Sequence, residues 1–352
     1  MLDSGTSSAT PLATEEVPRC PVCELPGTIA YEGLRDRLYR TPGLWTLRHC
    51  PDTAACGTYW IDPRPTREAI GRAYDEYLTH DSHARRESRF ARLVATLRRE
   101  YFAHRYGYPV GTLPAPLGRA VALLTRCLPG FQAAFDLEVR GLGPRSDQRL
   151  LDVGCGDGTD IAQLKSLGWQ VEGAEVDPVA VKVARERGLI VHHGTLSEQA
   201  FPAESFDVVS MSHVIEHLHS PREVLLECRR ILKPGGRLII ATPNVHGMLH
   251  QKYKEHWLAL DPPRHLMLFT QASLATMVKQ TGFSNVTTRS SFRSEDSIDF
   301  SSRLIRKNGR YEWGNIPPLY ARLPGHLVQF LAPAVTALGL GEGDEIFMVA
   351  KK

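Results

Sequence analysis

The stretch "LLDVGCGDGTD", residues 150–160, sets a short apolar run before a turn that carries Gly154, Gly156 and Gly158 together with Asp152, Asp157 and Asp160. A glycine-rich turn between a strand and a helix lets the backbone come close to a ligand, at the carboxyl edge of a parallel sheet where open α/β sheets bind theirs. The spacing is GxGxG; a dinucleotide fingerprint requires its third glycine at position 159, which is Thr159. A pyrophosphate would also lie against Asp152 and Asp157, and like charges at close range repel by kilocalories. The turn therefore suits a cationic ligand.

Outward from the turn, apolar runs of strand length alternate with segments of helical period, the pattern of βαβ units and a parallel sheet. The runs are Leu150–Val153, Val171–Ala174, Leu189–His192, Phe206–Met211 and Leu238–Ala241. The helical segments are "TDIAQLKSLG", "PVAVKVARERG" opening on Pro178, and "SPREVLLECRRILKPGG", where Ser220 is placed as N-cap and Val224, Leu225, Cys228, Ile231 and Leu232 share a face. Beyond them lie a further helix, "QASLATMVKQTG", and the strands "FSNVTTRS" and "EIFMVAKK". In the second strand unit, "VEGAEVDP" puts Glu175 about twenty residues beyond the glycines, the position from which a carboxylate accepts the hydroxyls of a ribose. A cationic ribonucleoside satisfies both sites.

These pieces together resemble class I S-adenosylmethionine-dependent methyltransferases: "LDVGCGDG" is similar to their first motif, "GAEVDP" to the second, "FDVVSMSHVIEHLHSP" to the fourth-strand motif and "ILKPGGRLIIATPN" to the next helix and strand. The resemblance covers residues 149–245 and implies a doubly wound, Rossmann-like α/β sheet, mostly parallel with its last strand antiparallel. It implies that Asp152, Gly154, Cys155, Gly156 and Gly158 line the cofactor, with Glu175 on the ribose, Thr195 and Leu196 near the adenine, and Met211 and Ser212 beneath the methyl group. Taken by itself, Cys155 reads as a small packing residue.

Methyl transfer is an in-line displacement at a sulfonium, so a base is needed only where the acceptor must lose a proton. His213, His217 and His265 are the candidates, set against helix capping by Glu216 and His217 and chain anchoring by Arg264 and His265. Trp257, Arg264, His265 and Trp313 are the candidates for contact with the acceptor. His246, His250 and His256 lack a metal-ligand pattern and read as a substrate wall with Tyr253 and Trp257.

Near the N-terminus, "CPVC" at 20–23 and "HCPDTAAC" at 49–56 form two cysteine pairs, a zinc-ribbon arrangement with Cys20, Cys23, Cys50 and Cys56 as ligands and His49 an alternative to Cys50. Four thiolates leave no open coordination position, so such a zinc is structural. A ribbon joined to this fold, with the "RDRL", "IDPRPT" and "PRHLMLFT" segments, resembles a bacterial subgroup associated with small-molecule, glycan or natural-product methylation.

The expected layout is a mobile tail over 1–18, a ribbon-like module over 19–65, a helical linker or cap region over 66–148, and the methyltransferase domain over 149–352 with a cap insertion near 292–343. No signal peptide or membrane span is expected, which together with free thiols suggests a cytoplasmic protein. The formal charge of +3 on 352 residues gives no general case for nucleic acid. An RNA methyltransferase is the rival, resting on seven arginines over 85–105, where Phe90, Leu93, Val94 and Leu97 also read as the apolar face of an ordinary amphipathic helix. A second rival is a non-catalytic protein that binds the cofactor as scaffold or sensor.

Overall fold

The computed structural model describes residues 11–74, 89–312 and 319–352. Its centre is a seven-stranded sheet of β1 (Arg149–Val153), β2 (Gln170–Glu175), β3 (Ile190–His193), β4 (Phe206–Ser212), β5 (Leu232–Pro243), β6 (Ser284–Ser291) and β7 (Glu345–Lys351), in the order β6-β7-β5-β4-β1-β2-β3. β1 to β5 are mutually parallel, and β7 runs antiparallel between β5 and β6. The strands are buried on both faces: Leu151 and Val209 point into one apolar cluster, Leu150 and Val208 into the other. The fold class and the antiparallel last strand agree with the sequence reading.

The helices that connect the strands include α1 (Thr159–Ser166), α2 (Pro178–Glu186), α3 (Pro221–Ile231) and α4 (Gln271–Gln280). In α2, Asp177 is the N-cap, its Oδ1 accepting from the amides of Val179 and Ala180. Ser220 does not cap α3 with its side chain; its hydroxyl accepts from Arg67 instead. α3 buries Leu225, Cys228 and Ile231, the face expected from its period. The cap consists of α5 (Glu295–Asn308) and α6 (Leu319–Ala337), packed on each other.

Upstream, helices Arg89–Tyr101 and Pro129–Glu138 pack on one face of the sheet, with Tyr101, Phe102, Phe135 and Leu137 sharing a cluster with β1 and β2, and Ala115–Arg126 packs against those two helices. Val94 and Leu97 pack inward as expected, but Leu93 is exposed, so the apolar face is narrower than the sequence suggested. Arg85, Arg86 and Trp313 lie outside the described residues.

The N-terminal segment departs from expectation in two ways. The tail expected to reach residue 18 is anchored before that: Leu12 is buried, Thr14–Glu15 pairs with Arg64–Pro65, and the Val17 carbonyl accepts from Trp60 Nε1 at 2.7 Å. The ribbon is also not a separate body. Its strands Thr28–Leu34, Trp45–His49 and Tyr59–Ile61 take Met267–Leu268 as a fourth, antiparallel strand, and Cys20, Cys56 and Trp60 join the same core as β4 and α3.

Candidate active site

At the end of β1 the chain turns through Gly154, Gly156 and Gly158, all with positive φ (72°, 55° and 78°). The three do different work. A Cβ on Gly154 would strike Val214, and one on Gly158 would strike Leu189, so these two permit close packing; a Cβ on Gly156 would meet nothing within 4 Å. Gly156 is thus the point where the bare backbone faces open space, and where a ligand can approach. Cys155 turns the other way, against Gly173 of β2, with its thiol held protonated by burial and the nearby carboxylates Asp152 and Glu175. Only its backbone can touch a cofactor.

Glu175, at the tip of β2, fixes this turn. Its Oε2 accepts from the Gly156 amide at 2.8 Å, and its Oε1 from the amides of Val176 (2.8 Å) and Asp177 (3.0 Å). A carboxylate has about four acceptor positions, so one remains on Oε2 for a single ribose hydroxyl rather than both. At the end of β3, Thr195 donates through its amide (2.7 Å) and hydroxyl (2.8 Å) to Glu198, a carboxylate that the sequence reading passed over; Leu196 is buried beside it.

The acidity of the stretch 150–160 is largely neutralised within the fold. Asp152 is 3% exposed, accepts from the Ser210 hydroxyl and lies 3.4 Å from the buried guanidinium of Arg140, which also reaches Asp160 at 3.2 Å. Burial raises the Asp152 pKa against the pull of Arg140 and Ser210. Asp157 pairs with Arg187 at 3.0 Å. Asp152 therefore supports the turn from below, and little unpaired acid is left there to favour a cationic ligand. Arg140 lies in the segment that reads as a linker, and Arg187 sits 30 residues from Asp157, so neither partner is visible as a local pattern.

β4 ends with Met211 in the core and Ser212 half-buried, and the next residue, His213, sits at φ 54°. His213 lies between Glu216 (3.3 Å) and Glu345 (3.0 Å), with Arg293 bonded to Glu345 at 2.6 Å. Burial opposes its charge, but the two carboxylates raise its pKa to about 9. The paired carboxylates Glu216 and Glu345 favour its charged form, an environment that suits a fixed positive charge better than a general base. His217 is the opposite case: burial and neighbouring His265 lower it to about 4, and burial likewise lowers His265. The two rings lie 4.6 Å apart, drawn together where the Leu266 amide donates to the Glu216 carbonyl at 2.8 Å.

Two expected acceptor contacts are internal. Arg264 is fully buried, forked onto Asp36 at 2.7 and 2.8 Å, bonded through Nε to Asp261 at 3.0 Å and stacked on Tyr39. Trp257 is 2% exposed, in a cluster with Trp45, Leu47 and Ile61 of the ribbon. His250 is buried too, its Nε2 on the Tyr31 hydroxyl, so this stretch is ribbon interface and not a substrate wall. An open cavity of about 390 Å³ lies instead between the helix Pro129–Glu138, β6, β7 and the cap, bordered by Asp136, Arg289, Phe292, Thr336, Glu345 and Phe347. Its Glu345 is the residue that pairs with His213.

In the ribbon, the sulfurs of Cys20, Cys23, Cys50 and Cys56 lie within 4.8 Å of one another, with Cys20–Cys56 at 3.6 Å and Cys23–Cys50 at 3.4 Å. His49 is occupied elsewhere, its Nε2 at 2.8 Å from the Thr28 hydroxyl, so the alternative to Cys50 falls away.

Residues 125–288 match the family model described as a methyltransferase domain. Among curated proteins, the chain is 32% identical over 164 residues to a ubiquinone biosynthesis O-methyltransferase of Roseobacter denitrificans, covering 43% of this chain and 66% of that one. It is 40% identical over 103 residues to the protein of that name from Xanthomonas oryzae pv. oryzae, covering 27% and 43%. The chain thus spans 43% to 66% of the length of these relatives. Among solved structures, phosphoethanolamine N-methyltransferase 2 of Haemonchus contortus, in complex with S-adenosyl-L-methionine, aligns over 88% of this chain and 69% of its own at 19% identity and a TM-score of 0.45.

Proposed function

We propose that the chain, whose residues 125–288 match a family model described as a methyltransferase domain, binds S-adenosylmethionine across the tips of β1 and β2 and transfers its methyl group to a small-molecule or carrier-linked acceptor. The observation that carries this reading is the open backbone of Gly156, locked to Glu175, whose remaining lone pair is free for a ribose hydroxyl. Both features suit a nucleoside. The cofactor supplies an electrophilic methyl group; the chain's part is to hold it, align an acceptor and exclude water.

The acceptor enters the cavity beneath the cap. α6 and the start of the cap contribute Ala332, Thr336 and Phe292 to its walls, while Arg289 and Asp136 offer the polar contacts that fix an orientation. The names of the curated relatives favour an oxygen acceptor. For such an acceptor, His217 and His265 are neutral at pH 7 and able to receive a proton, whereas His213 contributes a fixed positive charge. The four ribbon cysteines fit a closed structural zinc, since their sulfurs converge and three of the four are buried.

Methyl-labelled S-adenosylmethionine and purified protein, incubated with host extract that is then separated into small-molecule, glycan-lipid, protein and RNA fractions, test this reading. Label in the small-molecule or glycan-lipid fraction is the expected result. Label confined to RNA or protein overturns the acceptor class, and cofactor binding without any transfer favours a sensor.

A further inference from the structure

Glu216, His217 and His265 are drawn from two separate loops, yet their ligand atoms lie within 4.8 Å of one another. The arrangement around them is specific. His265 has its Nδ1 at 2.7 Å from the Ala259 carbonyl, and His217 its Nδ1 at 3.1 Å from the Arg264 carbonyl. A carbonyl oxygen can only accept, so both Nδ1 atoms carry the proton, and His217 shares its own with the Tyr74 hydroxyl oxygen at 2.9 Å. Both Nε2 atoms are therefore bare lone pairs, and among the described residues neither has a hydrogen-bond partner. Glu216 is fully buried: Oε2 accepts from Thr242 at 2.9 Å, while Oε1 makes no hydrogen bond, with His213 Nδ1 at 3.3 Å its charged neighbour.

A histidine that donates one ring N–H to a backbone carbonyl and presents the other nitrogen bare has the outer support of a metal ligand. Two such imidazoles, with a ring nitrogen of each and a carboxylate oxygen of buried Glu216 within 4.8 Å of one another, make a three-donor set. With a metal bound, both rings act as ligands and neither takes the acceptor's proton. From this geometry we infer that Glu216, His217 and His265 form a binding site for a divalent cation of the zinc type. Two imidazoles and one carboxylate suit zinc, cobalt or manganese better than calcium or magnesium, which prefer oxygen donors. With bonds near 2.1 Å, tetrahedral ligand atoms sit roughly 3.4 Å apart, so modest ring rotation closes the set.

Three protein donors leave coordination positions open, unlike the four-thiol ribbon. The site also adjoins the cofactor turn, because Val214, three residues before His217, is the side chain that packs on Gly154. If the methyltransferase reading is correct, a metal held there lies beside the cofactor turn, and its open positions are available to an acceptor oxygen. The metal site itself does not depend on that reading.

Cobalt(II) titration of the full chain, monitored by visible absorption, tests it. Cobalt on thiolates shows intense sulfur-to-metal charge transfer in the near ultraviolet, whereas a histidine–carboxylate centre shows only weak visible d–d bands. The wild-type chain is expected to take up one equivalent of the second kind. His217→Ala and His265→Ala are each expected to lose that equivalent and to retain S-adenosylmethionine affinity by calorimetry, which also reports a folded chain. Uptake by the wild type only at thiolate centres overturns the inference, as does an unchanged weak-band equivalent in both variants. A wild-type chain that binds this cobalt but not S-adenosylmethionine contradicts the methyltransferase reading and leaves the metal site standing.

Discussion

Gly156 combines two properties that a side chain would spoil together: a left-handed backbone and an open approach for a ligand. Gly156→Ala places a Cβ in ligand space at φ 55°, where an L-residue is strained by roughly 1–2 kcal/mol; denaturant unfolding should register that loss, and calorimetry a fall of about tenfold or more in cofactor affinity. The glycine spacing and the carboxylate twenty residues later were readable as a nucleoside site, and Glu175 does meet the Gly156 amide at 2.8 Å. The division of labour among the three glycines was not readable, because it depends on Val214 and Leu189, which reach the turn from other parts of the chain. Arg140→Met should cost about 3–5 kcal/mol, because it leaves Asp152 charged and buried without its partner, and urea unfolding would measure it. A loss under 1 kcal/mol would mean the pair is not the support described. Asp344 provides a pH test. Burial raises its carboxyl to about 7, even though the Leu249 and His250 amides donate to it, and Glu295 and Asp299 lie in its surroundings. A carboxyl whose folded pKa exceeds its unfolded value favours folding while protonated, so the contribution of Asp344 to stability should decline as pH rises from about 4 to 7, against the opposite slope of the buried histidines His217 and His250, which burial lowers to about 4. Asp344→Asn should remove that contribution, so the variant should lose less stability, or gain more, than the wild type between pH 4 and 7 in unfolding experiments.

At the scale of elements, the strands and helices of the sheet domain arise from apolar period, since buried parallel strands and amphipathic covering helices carry strong local signals. The placement of the ribbon does not. "RDRL" and "PRHLMLFT" are separated by more than two hundred residues, and what joins them is the buried fork of Arg264 on Asp36. Arg264 and Trp257 looked like acceptor contacts because polar and aromatic residues near a cleft have that composition; burial against the ribbon is a long-range fact that no local pattern records. Arg264→Ala is accordingly expected to lower stability by about 3–5 kcal/mol by stranding Asp36 and Asp261. A variant of wild-type stability with a raised acceptor KM would restore the substrate role. If the ribbon thiols hold zinc as proposed, stripping it should lower one cooperative transition in calorimetry rather than release a separate early one, because Cys20, Cys56 and Trp60 share a core with β4 and α3.

For the whole molecule, the ribbon and the cap close on the sheet from different directions: the ribbon supports the loop bearing His265, and the cap roofs the cavity beside Glu345. Among the described residues no helix is long and apolar enough to cross a membrane. The sheet's carboxyl edge, with Gly156, Glu175, His213 and Glu216 along it, is where these parts converge. S-adenosylmethionine is proposed to bind at this edge through Gly156 and Glu175, and calorimetric titration of that cofactor into the wild-type chain and into Glu175→Ala, with circular dichroism recorded on both, tests that binding. Saturable one-to-one binding by the wild type, abolished in a variant that keeps its secondary structure, is the expected result. Equal affinity in the two proteins, or no binding by either, would contradict it.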